Sequence, residues 1–446
     1  MGILFSLVLL HAAAMIYAQD GFISLDCGSP PGTKYTEKGV NYVSDDGFID
    51  SGATNDTIHP NNYFPRAYRS HRSFPENEWN CYTLRPQKGK NNRYLIRAMF
   101  VYGGDKGPAP LFDLYIGAEY WTTHINSKPA NPIYYELIHL TSSDYINVCL
   151  VNTGDGSPYI TSLELRPLDI TMYEYQKKSL FCFPGHLNFG ADVFMRYDDD
   201  KYDRLWEPIS LEGCKAVQTS DRVTLGPNNV EQVPSKVMST AITPINSKGS
   251  IVFSFESLNT ADECIFYIYL AEVQKLETNQ KREVNIYING KRNGPFLVST
   301  NMSTIRSETY SGSSSYTLII NNTLNSTLPP ILNALEVFNL MQVRQNQTVD
   351  KDAAAIWSTK STYGLLKLNW QGDPCVPQAW VGLNCNYSGQ GAVNIISLNL
   401  SSRGLNGEIA TALANLTMLE SLDLSYNNLT GNVPEFLGQL DNLKIL

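Results

Sequence analysis

Asp198, Asp199, Asp200 and Asp203 crowd four carboxylates into one short stretch, a density at which acidic side chains can hold calcium. The stretch lacks the central glycine and distal glutamate of a calcium loop, so a solvated or arginine-paired turn is the preferred reading. Glycoside hydrolysis needs two carboxyl groups flanking the scissile bond, and no such pair stands out. The sequence holds no Gly-Lys-Ser/Thr phosphate loop, no His-Glu-x-x-His and no Gly-x-Ser-x-Gly nucleophile turn. Its six histidines and eight cysteines are spaced too widely for a Cys/His metal cluster. The expectation is a protein that binds rather than catalyses, with no metal and no cofactor.

Ring stacking is the chemistry that remains. Tyr102, Tyr115, Tyr120 and Trp121 could lay aromatic faces against sugar rings, with Asp or Asn fixing hydroxyls. Aromatics that alternate along strands usually pack inward, so a core role is preferred for most of them.

The elements that must position these residues can be read from composition and repeats. The chain has 446 residues, 34 Lys+Arg and 43 Asp+Glu, giving a formal net charge of −9. That length suits two or three domains, and the acidic balance argues against a nucleic-acid binder. Apolar and aromatic residues make up 43%, which excludes global disorder. Met1–Ala18 is uncharged, carries the run Ile3–Leu10 and ends in a small residue, as a cleaved secretory signal would. Asn-x-Ser/Thr acceptors for N-glycans stand at Asn55, Asn301, Asn321, Asn325, Asn346, Asn386, Asn399, Asn415 and Asn428. No later segment has the apolar length of a membrane helix.

An internal duplication organises the middle of the chain. Asp113-Leu-Tyr-Ile116 recurs as Asn285-Ile-Tyr-Ile288, and Pro158–Leu165 recurs as Pro330–Val337, both at an offset of 172 residues. A weaker echo relates Leu25-Asp-Cys-Gly28 to Leu187-Asn-Phe-Gly190. Two homologous halves are expected near 21–176 and 183–344. Tyr94–Tyr102, Phe112–Ile116, Tyr145–Val151 and Glu283–Ile288 are short β-branched and aromatic runs, the last entering an Asn289-Gly290 hairpin turn. The fold class expected is mainly β, with sandwich or jelly-roll halves.

A second repeat follows. Leu398-x-Leu-Ser401, Leu405, Gly407, Leu413, Leu416 and Leu419 recur 24 residues later, with Asn427 where a turn asparagine belongs. Arg403 and Ala410 make the first copy an atypical capping repeat. The last residue, Leu446, opens a third copy, so a fragment of a longer product is expected.

These residues resemble those of plant malectin-like leucine-rich-repeat receptor kinases. The carriers are Phe22–Gly28, Asn41–Asp45, Arg72–Pro75, Asn80–Leu84, Val148–Gly154, Leu163–Leu168, Tyr202-Asp-Arg204 with Trp206, and Ser361–Leu365. Asn369-Trp-Gln-Gly-Asp-Pro-Cys375, followed by Trp380 and Cys385, completes the set. The resemblance implies a signal peptide (1–18), malectin-like lobes (21–176 and 183–344), a juncture and repeat N-cap (345–390) and incomplete leucine-rich repeats (391–446). It further implies a membrane helix and a kinase, both absent from this sequence. Departures are a short segment Gly103–Pro110, a strand Phe266–Val273 lacking a His-Phe pair, and unusual cysteines at 182, 214 and 264.

In this family Cys375 and Cys385 flank Trp380 where a repeat stack is usually stapled, so a bridge between them is expected. Pairings among Cys27, Cys81, Cys149, Cys182, Cys214 and Cys264 stay open. The implied function is recognition of a carbohydrate or secreted peptide at the cell exterior, with a co-receptor engaged through the repeats and no nucleic acid. A secreted wall-glycan binder or decoy is the alternative, and a glycosidase a distant third.

Overall fold

The structure, a computed structural model, describes residues 19–55, 65–102, 110–125, 132–175, 178–257, 263–342, 347–365, 370–387 and 392–446. The expected signal segment 1–18 and Asn346 lie outside these residues.

A side-chain period of two builds most of the molecule. In Arg282–Ile288, Val284, Ile286 and Ile288 are buried while Glu283, Asn285 and Tyr287 are only half-buried. Asn289 and Gly290 then take φ values of 46° and 82°, the left-handed pair that returns a strand on itself.

Eight strands of the first half, among shorter ones such as Val40–Ser44, make its two main layers: β1 (Ile23–Asp26), β2 (Trp79–Leu84), β3 (Arg93–Phe100), β4 (Leu111–Ile116), β5 (Glu119–His124), β6 (Ile133–Leu140), β7 (Ile146–Asp155) and β8 (Ser162–Pro167). Eight more follow: β9 (Lys178–Phe189), β10 (Ile251–Glu256), β11 (Glu263–Leu270), β12 (Arg282–Ile288), β13 (Lys291–Val298), β14 (Ser303–Arg306), β15 (Ser315–Asn322) and β16 (Ala334–Gln342). One four-stranded sheet has the order β2-β7-β4-β5, and another has β10-β15-β12-β13. Adding eight to each strand number of the first sheet yields the second. The same rule converts β1-β8-β3-β6 into β9-β16-β11-β14.

These last two sets are not separate sheets. β6 pairs antiparallel with β9, Glu136 opposite Cys182 and Ile138 opposite Leu180, so one eleven-stranded sheet runs through both halves. Each small sheet covers its own part of this long sheet. Leu84, Phe112, Leu114 and Val148 meet Ile96, Ala98, Leu163 and Leu165 in one core. Val284, Ile286, Leu318 and Ile320 meet Phe266, Ile268, Leu335 and Val337 in the other.

The echo at Gly28 and Gly190 has a steric cause. The two have φ of 82° and 77°, and an added Cβ would lie 2.1 Å from the His71 carbonyl oxygen or 2.3 Å from that of Ala241. Each half needs a residue without a side chain where its first long-sheet strand ends.

The C-terminal region is joined to the first half through the Gly-Asp-Pro-Cys motif. Asp373 is buried and accepts the Tyr145 hydroxyl at 2.8 Å and the backbone N–H groups of Thr348, Cys375 and Val376. Gly372 abuts the Cys81–Cys149 disulfide, which crosses from β2 to β7. Cys375 is bonded to Cys385, and Trp370 stacks on Trp380 with ring centroids 5.2 Å apart. Beyond them, Leu398 of the Ala392–Asn399 strand pairs in parallel with Leu422 of Ser421–Asp423. Asn427 accepts N–H groups from Arg403 and Leu405 and donates to the carbonyls of Leu400 and Leu424.

Candidate ligand-binding site

The outer face of the long sheet carries an open cavity of about 310 Å³. β3 sends Ile96, Ala98 and Phe100 into the core, which leaves Arg97 and Met99 on the opposite face. Met99 forms the pocket floor with Val40 and Tyr42 of the Val40–Ser44 strand and with Tyr68. Tyr134 of β6 and Phe194, Arg196, Tyr197 and Leu205 from the segment after β9 supply the other walls. Phe194, 55% exposed, stands at the lip.

The polar ends of Tyr42, Tyr134 and Arg196 are taken up by carboxylates. The Tyr42 hydroxyl donates to Glu164 at 2.5 Å, and Arg196 reaches Glu164 at 3.1 Å and Asp203 at 2.7 Å. Burial, reinforced by Glu164, holds the Tyr42 phenol well above its ordinary pKa, so it stays protonated and a donor. The Tyr134 hydroxyl is directed to Glu207. What a ligand meets is ring faces and methylenes, with Glu37 and Lys38 at the edge. None of the lining groups is a nucleophile activated by an adjacent base, so the pocket is built for binding.

Below it lies a buried charge network. Arg97 meets Glu136 at 2.6 Å, and also Glu164 and Asp203; Arg166 meets Asp203 at 2.7 Å. Burial alone would raise the Glu164 pKa, but Arg196, Arg166 and Arg97 bring it down to about 2. On the far side of the β6–β9 seam, Glu336 accepts from His186, Tyr173 and Tyr269, while Arg204 meets Asp200 at 2.7 Å. Asp203 and Arg204 are chain neighbours, and they point into opposite halves of the network.

This disposes of the aspartate stretch as an ion site. Asp200 and Asp203 are held by arginines, and Asp199 pairs with Lys236. The four aromatic candidates do not come together. Trp121 is buried against Phe181, and Tyr102 packs on Tyr159. Tyr115 and the half-exposed Tyr120 share the outer face of β4 and β5 with Trp79. None of them lines the pocket. Sequence reasoning missed Tyr42, Tyr68, Tyr134 and Arg196, although Tyr42 lies inside the motif Asn41–Asp45. Cys27, Cys182, Cys214 and Cys264 are not joined in disulfides. Among the glycan acceptors, Asn301, Asn325, Asn386, Asn399, Asn415 and Asn428 are exposed and Asn321 is half-buried. The Asn55 side chain is outside the described residues.

Comparison with known proteins agrees with this architecture. A family model for the malectin-like domain matches residues 25–340. A probable leucine-rich-repeat receptor-like serine/threonine-protein kinase of Arabidopsis thaliana is 41% identical over 90% of this chain and 48% of its own length. The Arabidopsis kinase IOS1 is 38% identical over 93% of the chain and 48% of its own length. The chain thus spans about half the length of these relatives. Among solved structures, the ANX2 ectodomain from Arabidopsis thaliana aligns with a TM-score of 0.60 at 16% identity, covering 72% of this chain and 96% of that one. The receptor-like kinase FER aligns with a TM-score of 0.58 at 18% identity, over 72% and 96%. Among the described residues no helix is long and apolar enough to cross a membrane. The likeness is to ectodomains, and the chain belongs to the malectin-like domain family, with plant leucine-rich-repeat receptor-like kinases as its sequence relatives.

Proposed function

We propose that this chain is the ligand-recognition part of a receptor at the cell exterior, and that its ligand is a peptide anchored by an apolar side chain. In this reading residues 21–176 and 183–344 are two malectin-like sandwich lobes, 345–390 a juncture and 391–446 the start of a leucine-rich-repeat stack. Residues 1–18 are a signal peptide, and the exposed acceptor asparagines carry glycans.

The observation that carries the ligand class is the lining of the cavity. A sugar ring demands several hydroxyl partners, but the Tyr42 and Tyr134 hydroxyls and the Arg196 guanidinium are already committed to carboxylates, and the Tyr68 hydroxyl accepts from Arg196. An aromatic or aliphatic side chain needs none. A solved complex of FER holds the plant peptide RALF23 together with LLG2, which supports a peptide reading and a second protein at such an ectodomain. The repeat region is the proposed docking surface for a co-receptor.

Calorimetric titration of the secreted chain with synthetic peptides bearing an aromatic anchor, and with gluco-oligosaccharides, tests the reading. Saturable peptide binding that weakens about tenfold in Phe194→Asp, close to 1.4 kcal/mol, is expected. Sugar binding that the same substitution abolishes would overturn the peptide assignment in favour of a wall-glycan binder.

A further inference from the structure

The ladder between β9 and β16 slips in one place. Cys182 stands opposite Phe338 and His186 opposite Glu336, so four steps of β9 match two of β16. The slip lies beside β6, the edge of the first half. It brings the Cys182 thiol, a ring nitrogen of His186 and a carboxylate oxygen of Glu136 within 4.8 Å of one another, all three residues buried.

The fourth neighbour sets the histidine. His186 Nδ1 lies 2.6 Å from Glu336 Oε1, so that ring nitrogen carries the proton. Nε2 then faces Glu136 Oε2 at 3.1 Å, an ion-pair distance, outside the angle of a well-formed hydrogen bond. The other oxygen of Glu136 is held by Arg97 Nε at 2.7 Å. Two fully buried polar atoms therefore approach each other off the axis a hydrogen bond requires. Ligands about 2 Å from a tetrahedral ion stand roughly 3.3 Å apart and off each other's axes, which is the relation of Nε2 to Oε2.

We propose that Cys182, His186 and Glu136 bind a zinc ion across the seam between the two halves, with Glu336 orienting the histidine and a water in the fourth position. A thiolate, an imidazole and a carboxylate form a ligand set that zinc accepts, and thiolate disfavours magnesium or calcium. Charge permits it. The network holds five carboxylates (Glu136, Glu164, Asp200, Asp203, Glu336) against four arginines (97, 166, 196, 204), one negative charge in excess. A divalent ion with the Cys182 thiolate contributes one net positive charge, the same as an imidazolium beside a neutral thiol. Loading therefore exchanges two protons for the metal, and the ion ties β6 to β9.

The full chain, secreted by cells and purified at neutral pH without chelator, should carry about one zinc by elemental analysis. Expression in cobalt-supplemented medium should give the thiolate-to-cobalt charge-transfer absorption of a four-coordinate site. Cys182→Ala should lose that absorption and most of the metal, while Cys214→Ala, at a half-exposed thiol elsewhere, should retain both. Glu136→Gln, which keeps the side-chain volume, should weaken metal retention about tenfold or more. A wild-type chain that binds neither zinc nor cobalt overturns the proposal. So does metal content unchanged by Cys182→Ala.

Discussion

Glu164 and Glu336 hold the same position on β8 and β16, 172 residues apart, and each is the buried carboxylate around which its half gathers polar partners. In register, Glu164 faces Arg97 on β3, whereas Glu336 faces Tyr267 on β11. Glu164 is surrounded by three arginines and the Tyr42 hydroxyl, Glu336 by two tyrosines, a histidine and Arg204, and each set draws a member (Arg196, Tyr173) from the other half. The duplication kept the acid and exchanged its partners.

Removing either charge leaves its buried cations short of negative charge, to be shared among the remaining carboxylates. Glu164→Gln should cost about 3–5 kcal/mol, because three guanidiniums then face a neutral amide. Urea unfolding followed by intrinsic fluorescence measures it. A loss below 1 kcal/mol would mean that the network is dispensable.

The two crowded glycines should tolerate nothing larger. Gly28→Ala or Gly190→Ala drives a Cβ into a carbonyl oxygen at a positive φ, at a cost of at least about 3 kcal/mol each. Thermal melts should drop for both, and Gly213→Ala, with φ 75° but open space around it, should cost less.

Histidine burial predicts a pH window. Burial depresses the His139 pKa to about 4 from an ordinary 6.5, its Nδ1 lying 2.7 Å from the Ser179 hydroxyl. The depressed value means that the unfolded chain takes up this proton first. Its stabilisation is therefore complete above pH 6.5 and is lost as pH falls toward 4, about 3 kcal/mol in all. His139→Gln should make the stability profile shallower over that interval, where the buried His124, depressed to about 3, keeps a slope of the same sign, and leave it unchanged above pH 6.5.

The C-terminal region should detach when its buried anchor is removed. Asp373→Ala leaves the Thr348 and Val376 N–H groups unpaired and takes one of two acceptors from the Cys375 N–H and the Tyr145 hydroxyl, at about 2–4 kcal/mol locally. Limited proteolysis should then cut near the juncture while both halves remain resistant. Equal resistance of the variant and the parent would show the anchor to be redundant.

Much of this was legible from residue order alone, for a physical reason. Strand period, the Asn289-Gly290 turn and the offset of 172 are local or repetitive signals, and each corresponds to matched strands. The pocket and the charge network were not legible. Arg97, Glu136, Glu164 and Arg196 acquire their meaning from one another across 32 to 67 residues of chain, and no spacing rule encodes such distances. For Trp121 a core role is the preferred reading over sugar stacking, and its ring is core, but residue type alone does not reveal which side of β5 faces inward. The aspartate stretch was readable as a turn, but the arginines that occupy it come from β3, β8 and its own loop.

The backbone hydrogen bonds between β6 and β9 make the long sheet a single plank under both halves. A jaw that shuts on its ligand needs a hinge, and here any hinge would have to break that ladder. The pocket's walls come from both sides of the seam, Tyr42 and Met99 before it and Phe194 and Leu205 after it. The pocket is therefore built on one continuous sheet, and drawing its walls together would cost the β6–β9 hydrogen bonds.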